Sequence, residues 1–329
     1  MQPSLRDIHE RKSGKLSDKW DLYLETYEQL LSKYRDKNIN ILEIGVQNGG
    51  SLETWSTYFN KAENIIGCDI DTNCANLQFH DQRIKVVVGD ATTAETGQNI
   101  DKLAESFDLI IEDGSHSSRD IITTFAEFFP RLRPGGLYIA EDLHCCYWEE
   151  WGGGLSFPYS GIEYFKALCD CINANHWHRK DIISADYINT IGKHYGVIVC
   201  DQLLESILSI RFYDSICVIE KAAEGKPFRL SERIIGGAEE NVASGLKELD
   251  TSLPIHRQKE AHFTGLACLA SEMTAISEKH NKLLVENELL SARLYKIETS
   301  SSWRITKPLR SASSAIKLLI RLAREKCRP

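Results

Sequence analysis

Two short apolar segments of the chain each end in acidic residues and are followed by a histidine. They read FDLIIEDGSH over residues 107–116 and GLYIAEDLH over residues 136–144. If both are strands of one parallel sheet, their carboxyl ends meet at the same edge. Asp113, Glu141 and Asp142 would then lie close together. Mg²⁺ prefers oxygen ligands such as carboxylates. Three carboxylates fill half of its octahedral coordination and leave three positions for a vicinal diol and a water. We predict that these three residues bind the metal ion.

A histidine stands close to the acids in both segments. A hydroxyl group is a poor nucleophile at neutral pH, so its reaction needs a metal ion that polarises it and a base that accepts its proton. His116 follows Asp113 by three residues, and we predict that it is this catalytic base. His144 is a second candidate, with the alternative that it is a hydrogen-bonded loop histidine. Glu112 is left out of the site because successive strand residues point to opposite faces.

Strand-like and helical segments alternate over the first two thirds of the chain. Five strands are predicted, over residues 39–44, 64–70, 83–88, 107–112 and 136–140. Strands that alternate with helices form parallel βαβ units. Two further strands, residues 207–213 and 216–220, predict a closing antiparallel hairpin. The predicted fold class is therefore α/β, a seven-stranded, doubly wound, Rossmann-like sheet with a terminal antiparallel hairpin.

A glycine-rich turn follows the first predicted strand, with the sequence LEIGVQNGGS over residues 42–51. Glycine lets a ligand approach the backbone, and the start of the following helix favours negative charge. The turn lacks the Gly-x-Gly-x-x-Gly spacing of NAD-binding proteins. The next two strands end in acids, at Asp69 and Asp90. These positions predict a nucleotide-type ligand at the same edge of the sheet.

Together these segments resemble class I S-adenosylmethionine-dependent methyltransferases, over about residues 20–220. They are most similar to metal-dependent sugar O-methyltransferases that act on macrolide antibiotics, and to their cephalosporin-hydroxylase-like relatives. The resemblance implies that the cofactor is S-adenosyl-L-methionine and that the turn with Gly49 binds it. Its amino-acid end would be held by Glu43 and Gly45, its ribose by Asp69, and its adenine would lie beside Asp90. Gln47 stands where the general pattern has its middle glycine.

The resemblance assigns Mg²⁺ and the base to the same four residues as the chemistry does, Asp113, Glu141, Asp142 and His116. It implies an enzyme that methylates a sugar hydroxyl. We expect the acceptor to be a bacterial surface glycan or its precursor, because residues 301–310, SSWRITKPLR, resemble a segment of bacterial polysaccharide-assembly proteins. A macrolide-type natural-product sugar is the alternative acceptor, and a non-catalytic scaffold in a glycan-assembly complex is the alternative function.

The chain divides into five predicted regions. They are an N-terminal helical segment (1–37), the methyltransferase domain (38–221), a linker (222–262), a coiled coil (263–299) and a basic amphipathic tail (300–329). Apolar residues from Leu269 to Ile297 recur at alternating spacings of four and three, and Asn287 occupies an a position. This pattern favours a parallel two-stranded coiled coil and hence a homo-oligomer. The alternative is a helix that packs on its own domain. An amphipathic helix is also predicted over residues 17–33, with Ser17 or Asp18 as its N-cap.

Charge is distributed unevenly along the chain. The net charge is −8, but from Trp303 onwards eight Lys or Arg face a single Glu. The acidic body argues against nucleic acid as the main partner, whereas a basic amphipathic helix fits an anionic inner-membrane surface or an acidic partner such as a glycosyltransferase. No apolar run is long enough to span a membrane, and the ten cysteines lack framework spacing. We expect the protein to be cytoplasmic, with its tail attaching it to that membrane or to that partner.

Overall fold

The computed structural model describes residues 2–177, 183–225, 229–230, 234–237, 245, 261–301, 303 and 306. The chain divides into two compact units between Ala270 and Ser271. Most of the predicted linker and nearly all of the basic tail lie outside the described residues.

Among the described residues, seven strands form one mixed sheet in the first unit. They are β1 (Asn40–Ile44), β2 (Asn64–Asp69), β3 (Ile84–Val88), β4 (Phe107–Glu112), β5 (Leu132–Ala140), β6 (Ile207–Tyr213) and β7 (Ile216–Lys221). Their order is β3-β2-β1-β4-β5-β7-β6. The first five strands are parallel, and β7 is antiparallel to both β5 and β6. The predicted seven-stranded α/β sheet with a terminal hairpin is confirmed.

The α-helices of the described residues precede β1, connect most of the parallel strands, and lie before and after the hairpin. They are α1 (Leu5–Arg11), α2 (Asp21–Leu31), α3 (Gly50–Tyr58), α4 (Ala94–Asp101), α5 (Ser118–Phe128), α6 (Gly161–Cys171), α7 (Ser184–Gly192), α8 (Asp201–Glu205) and α9 (Ala261–Thr299). Polar side chains define several starts: Thr93 accepts from the backbone of α4, and Ser117 accepts from the backbone of α5. Such caps satisfy N–H groups that have no partner inside the helix.

The helix predicted over residues 17–33 begins four residues later than expected. Its first residue is Asp21, and Trp20 precedes it in an extended conformation. The prediction of an N-cap at Ser17 or Asp18 is therefore wrong. The physical reason is that Lys19 and Trp20 bind carboxylates at the edge of the sheet, which keeps their backbone out of the helix.

Apolar side chains cover both faces of the sheet. On one face Ile111 of β4 belongs to a buried cluster with Tyr27 of α2 and Trp55 of α3. On the other face Phe125 of α5 meets Tyr138 of β5 edge-on, with ring centroids 5.3 Å apart. Parallel sheets need this cover on both faces. The packing fixes the carboxyl ends of the strands, where the predicted site residues lie.

The long helix α9 covers the region predicted as a coiled coil. Five of the predicted seam residues are half or more exposed in the single chain: Ile276, Leu283, Leu290, Leu294 and Ile297. Pairing with a second chain stays a prediction. No helix in the described part of the chain is long and apolar enough to cross a membrane.

Candidate active site

The parallel register of β4 and β5 brings the two acidic segments together. Glu112 pairs with Ala140 across these strands, and the backbone N–H of Glu141 donates to the carbonyl of Glu112 at 2.9 Å. Asp113 and Glu141 therefore leave neighbouring strands at the same edge. This is the arrangement that the sequence predicts.

Two cavities lie along this edge and share Gly45, Asp69 and Gly114. The larger, of about 490 Å³, is lined by residues 16–20, by the glycine turn, and by the acids and histidines of β4 and β5. The smaller, of about 200 Å³, is lined by residues 89–92, Glu112 and the start of α5. The two cavities, here together called the cleft, are therefore adjacent, and Asp69 borders both.

Three of the predicted site residues form a compact group, here called the cation cluster: Asp113, His116 and Asp142. Each offers a ligand atom within 4.8 Å of the others. His116 Nε2 lies 3.6 Å from Asp142 Oδ2, while His116 Nδ1 is buried without a hydrogen-bond partner. Two carboxylates suit Mg²⁺, which keeps several waters and often takes only one or two protein carboxylates. The donor set therefore fits such an ion, with the imidazole beside it.

Two members of the cation cluster have left-handed backbones. The φ angle is 57° at His116 and 52° at Asp142, a region that non-glycine residues rarely adopt. Such conformations cost about 1–3 kcal/mol each and persist where the surroundings determine them. Asp142 is held by the Tyr23 hydroxyl, at 2.8 Å, and by the Trp20 indole N–H, at 3.3 Å. The two left-handed positions lie beside each other in the cation cluster, with His116 Nε2 3.6 Å from Asp142 Oδ2.

Glu141, the third predicted metal ligand, has other partners in this structure. Its two oxygens accept hydrogen bonds from the ammonium of Lys19, each at 2.8 Å, and one also accepts from the hydroxyl of Tyr27. Lys19 donates its third hydrogen bond to Asp113 Oδ2 at 2.5 Å. Burial lowers the pKa of Lys19, but the charges of Glu141 and Asp113 outweigh that effect and raise it. The ammonium therefore stays charged.

Lys19 was not among the site residues that the sequence predicted. Lysine is rarely buried, and a single lysine before an aromatic helix carries no spacing signal. Only the local pattern Asp18-Lys19-Trp20, a charged pair directly before the aromatic stripe of α2, marks this segment as unusual.

The predicted cofactor residues of the glycine turn have distinct positions. Gly45 has φ 95°, and a Cβ there would lie 1.9 Å from the carbonyl oxygen of Asp113. Gly49 has φ 76° and precedes the first residue of α3. Glu43 is buried beneath the turn, where its carboxylate accepts from the Ser51 hydroxyl at 2.6 Å and the Trp55 indole at 3.2 Å. Burial raises the pKa of Glu43 to about 6. Glu43 therefore holds the turn to α3 through Ser51 and Trp55. Gly45 borders both cavities.

The two strand-terminal acids differ in their surroundings. Asp69 Oδ2 accepts from the backbone N–H groups of Val46 and Gln47, both at 2.8 Å. Burial raises the pKa of Asp69, but hydrogen bonds from backbone N–H groups lower it below its usual value. Gln47 takes the positive φ, 47°, that a glycine would adopt at its position. Asp90 is exposed, accepts from the Thr92 backbone at 2.8 Å and lines the smaller cavity.

Aromatic side chains extend the site beyond the cation cluster. Trp20 is 62% exposed and lies edge-on to His144, with ring centroids 6.2 Å apart. His144 in turn meets Trp148 edge-on at 5.0 Å. The Nδ1 atom of His144 is 2.6 Å from the hydroxyl of Ser215. This contact agrees with the alternative prediction that His144 is a hydrogen-bonded loop histidine.

Comparison with known proteins identifies the domain that carries this site. Residues 42–143 match the sequence profile of a family described as a methyltransferase domain. The chain is 29% identical over 217 residues, 63% of its length and 52% of the relative's, to 8-demethyl-8-alpha-L-rhamnosyl tetracenomycin-C 2'-O-methyltransferase of Streptomyces olivaceus. It is 37% identical over 180 residues, 51% of its length and 44% of the relative's, to mycinamicin VI 2''-O-methyltransferase of Micromonospora griseorubida.

The chain is also similar to a methyltransferase of known structure. MycE methyltransferase from the mycinamycin biosynthetic pathway, in complex with Mg and SAH, superposes with a TM-score of 0.54 at 26% identity, over 71% of this chain and 58% of MycE. The chain spans about half the length of the curated relatives it matches. Residues 42–143 therefore match a methyltransferase domain, and the chain resembles the sugar O-methyltransferases of macrolide and tetracenomycin pathways.

Proposed function

We propose that the protein is an S-adenosylmethionine- and Mg²⁺-dependent O-methyltransferase that acts on a sugar hydroxyl. The observation that carries the proposal is the cation cluster of Asp113, His116 and Asp142, in the same cavity as the glycine turn. The relatives support it, since one is named as an O-methyltransferase of a rhamnosyl tetracenomycin, another as an O-methyltransferase of mycinamicin VI, and MycE is described in complex with Mg and SAH.

The cleft has the features that S-adenosylmethionine needs. Residues 45–47 would hold the amino-acid end against the turn, Asp69 would lie at the ribose, and the smaller cavity with Asp90 would receive the adenine. The three predicted ligands Asp113, Glu141 and Asp142 would hold Mg²⁺. When bound, S-adenosylmethionine supplies an activated methyl group and Mg²⁺ polarises the acceptor hydroxyl.

His116 is the proposed base that accepts the proton of that hydroxyl. Its Nε2 atom faces Asp142 Oδ2 at 3.6 Å, and a nearby carboxylate stabilises the imidazolium that forms when the ring takes a proton. The indole of Trp20, exposed beside Asp142, offers an apolar surface to the face of a sugar ring. The chain thus supplies the base, the charge that stabilises it and a surface that orients the acceptor.

For the acceptor we propose a bacterial surface glycan or its lipid-linked precursor. The support is the resemblance of residues 301–310 to polysaccharide-assembly proteins, and the basic residues of the tail suit an anionic inner membrane or an acidic glycosyltransferase. A natural-product sugar is the second candidate, because the named relatives act on tetracenomycin and mycinamicin compounds. Flotation with anionic liposomes tests the membrane proposal. Full-length protein should float, and high salt should reduce flotation.

Methyl transfer with a panel of acceptors tests the function. The panel contains lipid-linked oligosaccharides, nucleotide-linked sugars and macrolide glycosides. We expect S-adenosylhomocysteine and a singly methylated sugar, detected by mass spectrometry, and we expect EDTA or Asp113→Asn to stop both. The exposed Asp36→Asn variant is the matched control and should retain activity. Transfer that persists at full rate in EDTA would contradict the metal dependence.

A further inference from the structure

Four side chains, here called the aromatic row, lead from the larger cavity onto the surface of the protein: Trp20, His144, Trp148 and Trp151. Each ring meets the next, with centroids 6.2 Å, 5.0 Å and 5.4 Å apart. Trp20 and His144 line the larger cavity, whereas Trp148 and Trp151 are not among its lining residues. The row therefore connects the site of the proposed reaction with a surface beyond the cavity.

The indoles of the row present a large apolar surface to solvent. Trp20 is 62% exposed and Trp148 is 48% exposed, and Tyr147, next to Trp148 in the chain, is 40% exposed. Large apolar groups that cluster at a surface mark a place where a ligand or another protein binds. The aromatic row thus has the character of a binding surface.

The loop that carries Trp148 and Trp151 is held in one shape by its own backbone. The N–H of Gly153 donates to the carbonyl of Trp148 at 2.9 Å, and the N–H of Gly154 donates to the carbonyl of Cys146 at 3.0 Å. A Cβ on Gly153 would lie 2.1 Å from that same Cys146 carbonyl oxygen, and Cys146 is buried. A surface fixed in this way loses little conformational entropy when a ligand binds to it.

The groups around the two outer indoles suit a sugar. The faces of aromatic rings are electron-rich, and the C–H groups on the face of a sugar ring carry partial positive charge, so the two surfaces attract each other. Glu149 and Glu150 lie between Trp148 and Trp151 in the chain and are exposed. Carboxylates accept strong hydrogen bonds from hydroxyl groups, whereas the centres of protein interfaces are depleted of Glu. An occupant with apolar ring faces and many hydroxyl groups matches both features.

We propose that Trp148 and Trp151 form a second sugar subsite, so that the acceptor is an oligosaccharide. The methylated unit lies in the larger cavity, and the next unit of the acceptor lies on the two outer indoles. The inference rests on the proposed function and narrows its acceptor to at least two linked sugars. Trp148 meets the acceptor away from the reacting hydroxyl, so its removal should raise KM for long acceptors and leave kcat unchanged.

Methyl transfer to acceptors of graded length tests the subsite. The acceptors are fragments of bacterial surface polysaccharides with one, two, three or four sugar units, made by partial hydrolysis and separated by size. Wild type should use the longer fragments with a kcat/KM about tenfold above that for single units, because the outer indoles add a stacking contact. Trp148→Ala should abolish this preference and use single units as before. Trp148→Tyr keeps an aromatic face and should retain most of the preference.

Trp177 is the matched control, because it packs on Tyr187 of α7 and lines neither cavity. Trp177→Ala should keep the preference for longer fragments. Equal use of all lengths by wild type, or an equal loss on all lengths in Trp148→Ala, overturns the inference while the proposed function stands. Transfer to macrolide glycosides alone also overturns it, since the outer indoles would then face an aglycone. Transfer to neither class of acceptor overturns the proposed function itself.

Binding provides a readout that does not depend on activity. Saturation-transfer NMR of the tetrasaccharide fragments, with S-adenosylhomocysteine present, should show two adjacent units in contact with wild type and one unit in contact with Trp148→Ala. A change of molecular mass in Trp148→Ala by light scattering, with the sugar contacts unchanged, would assign the outer indoles to a protein interface and overturn the sugar subsite.

Discussion

At the residue scale, the acids of the site share one edge of the sheet but have different hydrogen-bond partners: Lys19 and Tyr27 donate to Glu141, whereas Tyr23 and Trp20 donate to Asp142. Asp113, Glu141 and Asp142 could be placed at one edge because strand ends in a parallel sheet converge whatever the side chains do. The hydrogen bonds of Glu141 come from Lys19 and Tyr27, which lie 122 and 114 residues away along the chain. Contacts between distant segments leave no mark in local spacing, so the division between Glu141 and the cation cluster required the structure.

The first prediction at this scale concerns His116. Replacing it by Ala removes the proposed base, so the rate of methyl transfer should fall by about two to four orders of magnitude. Binding of Mn²⁺ and of S-adenosylhomocysteine should stay within a few-fold of wild type, measured by EPR and calorimetry. His144→Ala is the matched histidine control and should lose far less activity. Loss of Mn²⁺ binding in His116→Ala would instead identify the imidazole as a metal ligand.

At the element scale, the turn between β1 and α3 depends on glycine for two separate reasons. Gly45 has a positive φ, and its Cα faces the Asp113 carbonyl so closely that a Cβ would overlap it. Gly135 also has a positive φ, 80°, but nothing lies within 4 Å of a Cβ there. The two glycines therefore separate the cost of the backbone conformation from the cost of the close approach.

We predict that Gly45→Ala is much more damaging than Gly135→Ala. Gly135→Ala is the control, and its left-handed backbone costs about 1 kcal/mol. Gly45→Ala has the same backbone cost, and its Cβ must also push β1 away from β4. It should lose several kcal/mol of unfolding free energy in urea titrations and bind S-adenosylhomocysteine more weakly. Equal losses in the two variants would mean that the close approach at Gly45 is not important.

The buried carboxyl beneath the same turn predicts a pH dependence of stability. Burial raises the pKa of Glu43 from 4.5 to about 6 in the folded protein. Between these values the folded state holds a proton that the unfolded state has lost, so this group's contribution to stability falls as pH rises through that window. The loss is about 2 kcal/mol, from the pKa shift.

Glu43→Gln removes this titration. Urea titrations at pH 4 and pH 7 should show the stability of Glu43→Gln relative to wild type rising by about 2 kcal/mol between the two pH values. A difference that stays constant with pH would show that Glu43 does not change its pKa on folding.

At the scale of the whole molecule, the fold of the methyltransferase domain was predictable and the arrangement of the C-terminal region was not. Hydrophobic periodicity is a local signal. It predicted seven strands, of which the first five alternate with helices and the last two form a hairpin. One error, the start of α2 at Asp21, arose because Lys19 and Trp20 are committed to the site. The apolar seam of α9 is equally periodic, but periodicity alone does not specify what covers it.

That seam carries the last prediction. In the single chain Leu283 and Leu290 remain 55% and 54% exposed, although both fall on the predicted d positions of a heptad. Burying such side chains in a second helix contributes about 1.5–3 kcal/mol each, so we expect a dimer by light scattering. Leu283→Glu with Leu290→Glu should give a monomer, because it buries charges at the seam. Leu289 is just as exposed, at 55%, but lies off the seam, and Leu289→Glu should leave the dimer intact. A monomeric wild type, or equal effects of both changes, would exclude the coiled coil and leave α9 to pair with some other surface.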